Sequence, residues 1–137
     1  MTLVIDASVC VKWLVYEEHT AAAIRLADTK TEFLAPDLLR LEVASALTNK
    51  VRRGELPAGE ISLLARVPNF VPDLVPWQPL LDPALELALV LQRPLYDCLY
   101  LALALRENTA MVTADDRLFN SLQGSTIAHT VMSIQEF

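Results

Sequence analysis

R-P-L-Y-D-C-L-Y-L-A-L-A-L-R-E-N-T-A-M-V-T-A-D-D-R-L-F, residues 93–119, decides how the rest of the chain is read. Pro94 suits a helix opening, because its missing N–H would have no partner in the first turn. From Leu95 to Leu105 the helix is apolar on nearly every side, which marks it as buried rather than half-exposed. One carboxylate, Asp97, sits inside that run. A charge carried into an apolar setting is costly unless it is paired, hydrogen-bonded or bound to a metal. The expectation is that no base at helical spacing neutralises it. Arg106, Glu107 and Asn108 close the helix, and a short strand, Ala110 to Thr113, runs straight into Asp115 and Asp116. A buried helix and a strand end therefore carry acids toward one place.

Working outward, 137 residues with a 53% hydrophobic fraction predict one compact domain spanning 1–137. No basic segment precedes the first apolar residues, and Asp6 follows them at once, which argues against a signal peptide. Apolar runs are too short to span a bilayer, so no membrane partner is expected. Cys10 and Cys98 form no disulfide framework, which suits a reducing cytoplasm. The net charge of −6 opposes simple electrostatic binding of nucleic acid. That objection weakens if the acids gather in one metal pocket and the bases lie elsewhere.

Thr2 to Ile5 reads as a buried strand ending at Asp6, with Ser8 placed to cap the helix that carries Lys12 and Trp13. An Ala-rich helix from Thr20 to Asp28 precedes a second strand, Glu32 to Ala35, stopped by Pro36. Asp37 is the expected N-cap of a helix to about Arg53, ended by Gly54. On it Leu38, Glu42 and Ser45 share a face, so Glu42 projects from an inward or boundary stripe. Further expectations are a helix from Ala58 to Val67, a proline-rich loop from Pro68 to Pro79 with a short strand near Val75–Trp77, and helices Leu81–Leu91 and Asp116–Leu122. A last strand is expected over Thr126–Val131. Strands alternating with helices predict an α/β domain with a mainly parallel central sheet flanked by helices in three layers. Such sheets bind ligands beyond the carboxyl ends of their strands, where Asp6 and Asp115 stand.

Four acids thus stand out: Asp6, Glu42, Asp97 and Asp115, with Asp116 a possible fifth. Crowded carboxylates raise one another's pKa unless a cation sits among them. Mg2+ or Mn2+ is the natural guest, being a hard ion that takes oxygen ligands and keeps several waters. Zinc is a poor candidate, since His19 and His129 stand apart and no Cys pair has ligand spacing. No nucleophile elbow, phosphate loop or dinucleotide fingerprint occurs. Phosphodiester hydrolysis is apt for such a site, and phosphoacceptor and phosphatase chemistry stay open. Ordinary readings remain beside these: Asp97 as a helix N-terminal acid, Asp115 and Asp116 as a capping pair, Glu42 as a boundary acid paired with Arg40 or Arg93. Asp116 is expected to do the capping while Asp115 turns inward. Tyr96 and Tyr100 are read as packing residues, Leu105 as core, and Trp13 as core by default.

V-I-D-A-S at 4–8, P-D-L-L-R-L-E-V-A-S-A-L at 36–47, Y-D-C-L-Y-L-A-L-A at 96–104 and V-T-A-D-D-R-L at 112–118 together resemble the PIN-domain ribonucleases. The likeness is strongest to the VapC-type toxins of toxin–antitoxin pairs, and it covers essentially the whole chain. It implies that Asp6, Asp97 and Asp115 bind metal, with Glu42 completing the catalytic set. Ser8 and Thr113 match supporting polar positions, Asp116 falls where many members carry an extra acid, and Ser45 stands where many carry Asn. The resemblance further implies a metal-dependent endoribonuclease acting on structured RNA such as transfer RNA, a homodimer, and inhibition by a small antitoxin. The alternative within the family is a catalytically weak or inactive module that binds metal or RNA. A phosphoacceptor module would need a lysine after its last strands, but the last lysine is Lys50. A dehalogenase-type phosphatase would need an acid where Ser8 stands.

Overall fold

The computed structural model describes residues 1–59 and 73–137. Five strands form one parallel sheet: β1 (Thr2–Ile5), β2 (Glu32–Pro36), β3 (Asp73–Val75), β4 (Met111–Thr113) and β5 (Val131–Ser133), in the order β3-β2-β1-β4-β5. β1 is central and almost wholly buried, which is why it is short, apolar and β-branched. Its register pairs Leu3 with Phe33 on one side and Ile5 with Val112 on the other. The helices are α1 (Ala7–Leu14), α2 (Thr20–Ala27), α3 (Leu39–Arg52), α4 (Leu81–Leu91), α5 (Leu95–Arg106) and α6 (Asp116–Leu122). α5 lies across β1, β2 and β4 and packs along α4, while α1 packs on α2 and α3. The expected α/β architecture, a parallel sheet flanked by helices, is therefore the one observed.

Local chemistry accounts for most boundaries. α5 is buried continuously from Cys98 to Ala104, as its all-round apolarity requires. Its last apolar residue, Leu105, is exposed instead of core, since the helix has by then run past the sheet. α4 ends on Gln92 with φ 52°, a left-handed residue that turns the chain sharply into Arg93 and Pro94. α3 buries Leu39, Val43 and Leu47, four residues apart, so Leu41 faces solvent and Glu42 lies at the boundary. Gly54, with φ 75°, follows α3 as expected. Three strand and cap assignments differ. β3 covers Asp73–Val75, not Val75–Trp77, and Asp37 does not cap α3: Leu38 does, while the Asp37 carboxylate accepts the Trp77 backbone N–H. β5 begins only at Val131, because Ala128–Thr130 forms a 3-10 turn. The expected helix Ala58–Val67 and the prolines Pro68 and Pro72 lie, apart from Ala58 and Gly59, outside the described residues.

Candidate active site

β1 and β4 are neighbours, and the chain leaves β1 toward β2 on its other side, so the carboxyl ends of β1 and β4 form the switch point of the sheet. Asp6 stands there with only 7% of its surface exposed. It is the N-cap of α1, a place the sequence had suggested for Ser8; the Val9 N–H donates to its Oδ1 at 3.2 Å. Ser8, inside the helix, donates to the same oxygen, and Thr113 at the end of β4 donates to Oδ2, each at 2.5 Å. Ser8 Oγ also accepts the Ala114 N–H, and Thr113 Oγ1 accepts the Asp115 N–H. Two hydroxyls thus lace the β1–α1 turn to the β4–α6 turn. Burial pushes the Asp6 carboxyl up to about 6, against the pull of its donors, and the charge of Asp97 adds to the rise.

Asp97 lies in the first turn of α5, half-buried. It does have a basic partner: Arg93, four residues earlier and just outside the helix, reaches back with Nη2 to Oδ2 at 3.4 Å. The sharp turn at Gln92 brings that side chain alongside, and a periodicity argument confined to the helix does not see it. The Asp97 carboxyl is raised, by burial first and by the charge of Asp115, with Arg93 opposing. Glu42 comes in from α3 and accepts the Tyr100 hydroxyl of α5 on Oε1 at 2.6 Å. Neither Arg40 nor Arg93 pairs with it. Its carboxyl too is raised, by burial and then by Asp97, and the buried Tyr100 phenol is pushed far up by burial and the Glu42 charge.

The expected division of roles between Asp115 and Asp116 does not hold: Asp115 is the cap, and neither carboxylate is buried. Asp115 caps α6, its Oδ1 accepting the N–H groups of Arg117 and Leu118, and it is exposed. Asp116 sits one residue inside the helix and accepts Gln135 Nε2 at 3.1 Å. Ser45 is exposed on α3, and among the described residues its hydroxyl bonds to none of the acids. Beside Glu42 opens a cavity of about 590 Å3, lined by Ser8, Glu42, Ser45, Asn49, Lys50, Lys12 and Tyr96 among others. Tyr96 is 59% exposed on its wall and so is not the packing residue expected; only Tyr100 is. Composition offers no signal for that difference, because both tyrosines stand in the same apolar helix. Trp13 does pack, with Nε1 donating to Ala23 O and its ring 5.3 Å from that of Phe33.

Asp97 is the electrostatic hub of the set: its charge raises Asp6 and Glu42, and the charge of Asp115 raises Asp97. Among the described residues, no group of three or more His, Cys, Asp or Glu side chains is close enough to hold a metal ion between them. The four acids are coupled charges and not a closed cage, and of the four Glu42 lines the cavity. Mg2+ commonly takes one or two carboxylates and keeps its waters, so this all-oxygen donor set fits a hard divalent ion. Mutual repulsion and burial are the strain that such an ion relieves.

A parallel sheet of this order with acids at its switch point is the arrangement of a nuclease-type α/β fold. Residues 3–124 match the PIN domain, and the chain belongs to that family. PIN domains are generally nucleases and typically use divalent metals. The structure is similar to PAE2754 from Pyrobaculum aerophilum, with a TM-score of 0.67 and 22% identity over 99% of this chain and 85% of the other. At that identity the likeness concerns the fold. No curated protein matches the chain.

Proposed function

We propose that this protein, acting as one PIN-like domain over 1–137, is a metal-dependent endoribonuclease of the VapC toxin type that a cognate antitoxin holds inactive in the cytoplasm. The observation that carries the reading is the gathering of acids from four separate segments around Asp97, whose charge reaches Asp6 and Glu42 and which itself feels the charge of Asp115. Asp6, Asp97 and Asp115 would hold Mg2+ or Mn2+, one or two of them directly and the rest through the ion's waters, and the ion when bound would polarise the phosphate and lower the pKa of an attacking water. Ser8 and Thr113 keep both Asp6 oxygens oriented. Glu42 has one oxygen committed to Tyr100, and its other orients the water and takes its proton. The water oxygen forms a bond to phosphorus as Glu42 takes its proton, the bond to the 3′ oxygen breaks, and that oxygen takes a proton from solvent, to which Glu42 then returns its own. The products carry a 5′-phosphate and a 3′-hydroxyl.

The test is cleavage of a pooled transfer-RNA and ribosomal-RNA sample by purified protein in Mg2+, Mn2+ or EDTA, beside Asp97→Asn. Discrete fragments that need the metal and vanish in the variant are expected. Tight Mn2+ binding without cleavage would move the reading to a binding-only module, and absence of metal binding would sink the shared site. For the toxin role, induced wild-type protein should arrest a bacterial host and Asp97→Asn should not. A homodimer is supported by the apolar outer face of α4, where Leu89 and Val90 are 80% and 81% exposed. Leu89→Asp should then lower the mass seen by sedimentation to that of a monomer.

A further inference from the structure

The cavity beside Glu42 does not end in acids. On α3, Glu42, Ala46, Asn49 and Lys50 follow helical spacing and line one wall, so Lys50 lies about 12 Å along the axis from Glu42. On α1 the same polarity repeats over one turn: Ser8, bonded to Asp6, is followed four residues on by Lys12. Both walls therefore grade from carboxylate to ammonium in the same direction. The two ammonium groups meet on one carboxylate, with Lys12 Nζ at 3.0 Å from Glu17 Oε1 and Lys50 Nζ at 2.5 Å from Oε2. Their side chains are only 10% and 16% exposed. Glu55 reaches Lys50 at 3.8 Å and is itself forked by Arg53. Lys12, Lys50 and Arg53 thus share Glu17 and Glu55, three cations against two carboxylates, and this corner of a chain of net charge −6 is positive.

We propose that the Lys12–Glu17–Lys50 cluster is a phosphate-binding subsite that anchors a single-stranded RNA backbone at a nucleotide removed from the scissile bond. This rests on the nuclease reading above. An acidic groove alone repels a polyanion, whereas a cationic corner at its far end supplies the attraction that chain binding requires. Glu17 holds both lysines in place before substrate arrives, so little side-chain entropy is lost on binding. Tyr96, exposed on the intervening wall, offers a face on which a base stacks without regard to sequence. The arrangement also gives the backbone a path, from the acids toward the lysines.

The experiment measures binding of a fluorescent oligouridylate by anisotropy over a range of salt, in Mg2+, with Asp97→Asn as the non-cleaving parent. Adding Lys50→Gln should weaken binding about tenfold, as loss of a charged hydrogen bond implies. It should also flatten the slope of log K against log salt by about 0.7, the value of one single-strand phosphate contact. Lys50→Arg should keep the slope. In the cleaving protein, Lys50→Gln should raise KM and leave kcat unchanged. Unchanged affinity and slope in Lys50→Gln and Lys12→Gln, with the parent still binding RNA, would overturn the subsite and leave the cluster as a tie between α1 and α3. A parent that binds no RNA at all would overturn the nuclease reading with it.

Discussion

At the scale of single residues, the site is built from groups kept in an unfavourable state. Asp6 has its carboxyl raised to about 6 from an ordinary 3.8. The folded protein therefore holds its proton more tightly than the unfolded chain over that interval, and stability falls as pH climbs from about 4 to 6. Above pH 6 the full penalty, on the order of 3 kcal/mol, is present when no divalent ion offsets it. Asp6→Asn should accordingly melt higher than wild type at pH 7.5 in EDTA, by about 1–3 kcal/mol of stability, while losing cleavage. The gain should vanish near pH 4, as thermal melts at the two pH values would show. Tyr100 gives a second handle. Its hydroxyl is the donor that holds the Glu42 carboxyl down against burial. Tyr100→Phe removes that donor, so Glu42 should titrate higher and the acid limb of the kcat/KM profile should move to higher pH; an unmoved limb would exclude Glu42 as the base.

At the scale of elements, two carboxylates of the proposed site are also helix caps. Asp6 caps α1 and Asp115 caps α6, so the acids at the ends of β1 and β4 are fixed by the helices that follow them. A residue that caps through one oxygen keeps another lone-pair set for other use, and capping and ligation need not compete. The cap at Asp115 and its proposed part in the site separate by substitution. Asp115→Ala should lose about 1 kcal/mol, the usual worth of an N-cap, together with activity. Asp115→Asn, which still accepts the Arg117 and Leu118 N–H groups, should keep its melting temperature and lose only activity. Equal melting of the two variants would mean that the cap contributes nothing.

At the scale of the whole molecule, Glu17 joins α1 to α3 by holding Lys12 and Lys50 together. Its carboxyl is lowered: burial raises it, and the two lysines more than reverse that. A lowered acid stabilises the fold above its unfolded pKa and loses that contribution as pH falls through the folded value. Glu17→Gln should destabilise by more than the roughly 1 kcal/mol of an exposed pair and by less than the 3–5 kcal/mol of a fully buried one. Chemical denaturation at pH 7 and again near pH 3 would check this, with the difference shrinking at the lower pH.

How much of this was legible in the sequence follows from the range of each interaction. β1, α4 and α6 stand where a β-branched apolar run, helical period and the Asp and Pro signals put them, because those are set within a few residues. The parallel α/β order was likewise readable, and so was the place of Asp6 at the carboxyl end of β1, since a strand end is a local fact. Cap identity within the pairs Asp6–Ser8 and Asp115–Asp116 was not, because it depends on backbone angles and on partners such as Gln135, nineteen residues from Asp116. Nor could periodicity tell exposed Tyr96 from buried Tyr100, as the distinction is set by what α3 and the sheet place against α5. The sequence by itself determined the strands and helices from which the sheet is built and the acids that stand near its carboxyl ends. Only the tertiary structure decided that Arg93 turns back on Asp97 and that Lys12, Glu17 and Lys50, up to 38 residues apart, meet beside Glu42, since contacts across such separations exist only once the helices have packed.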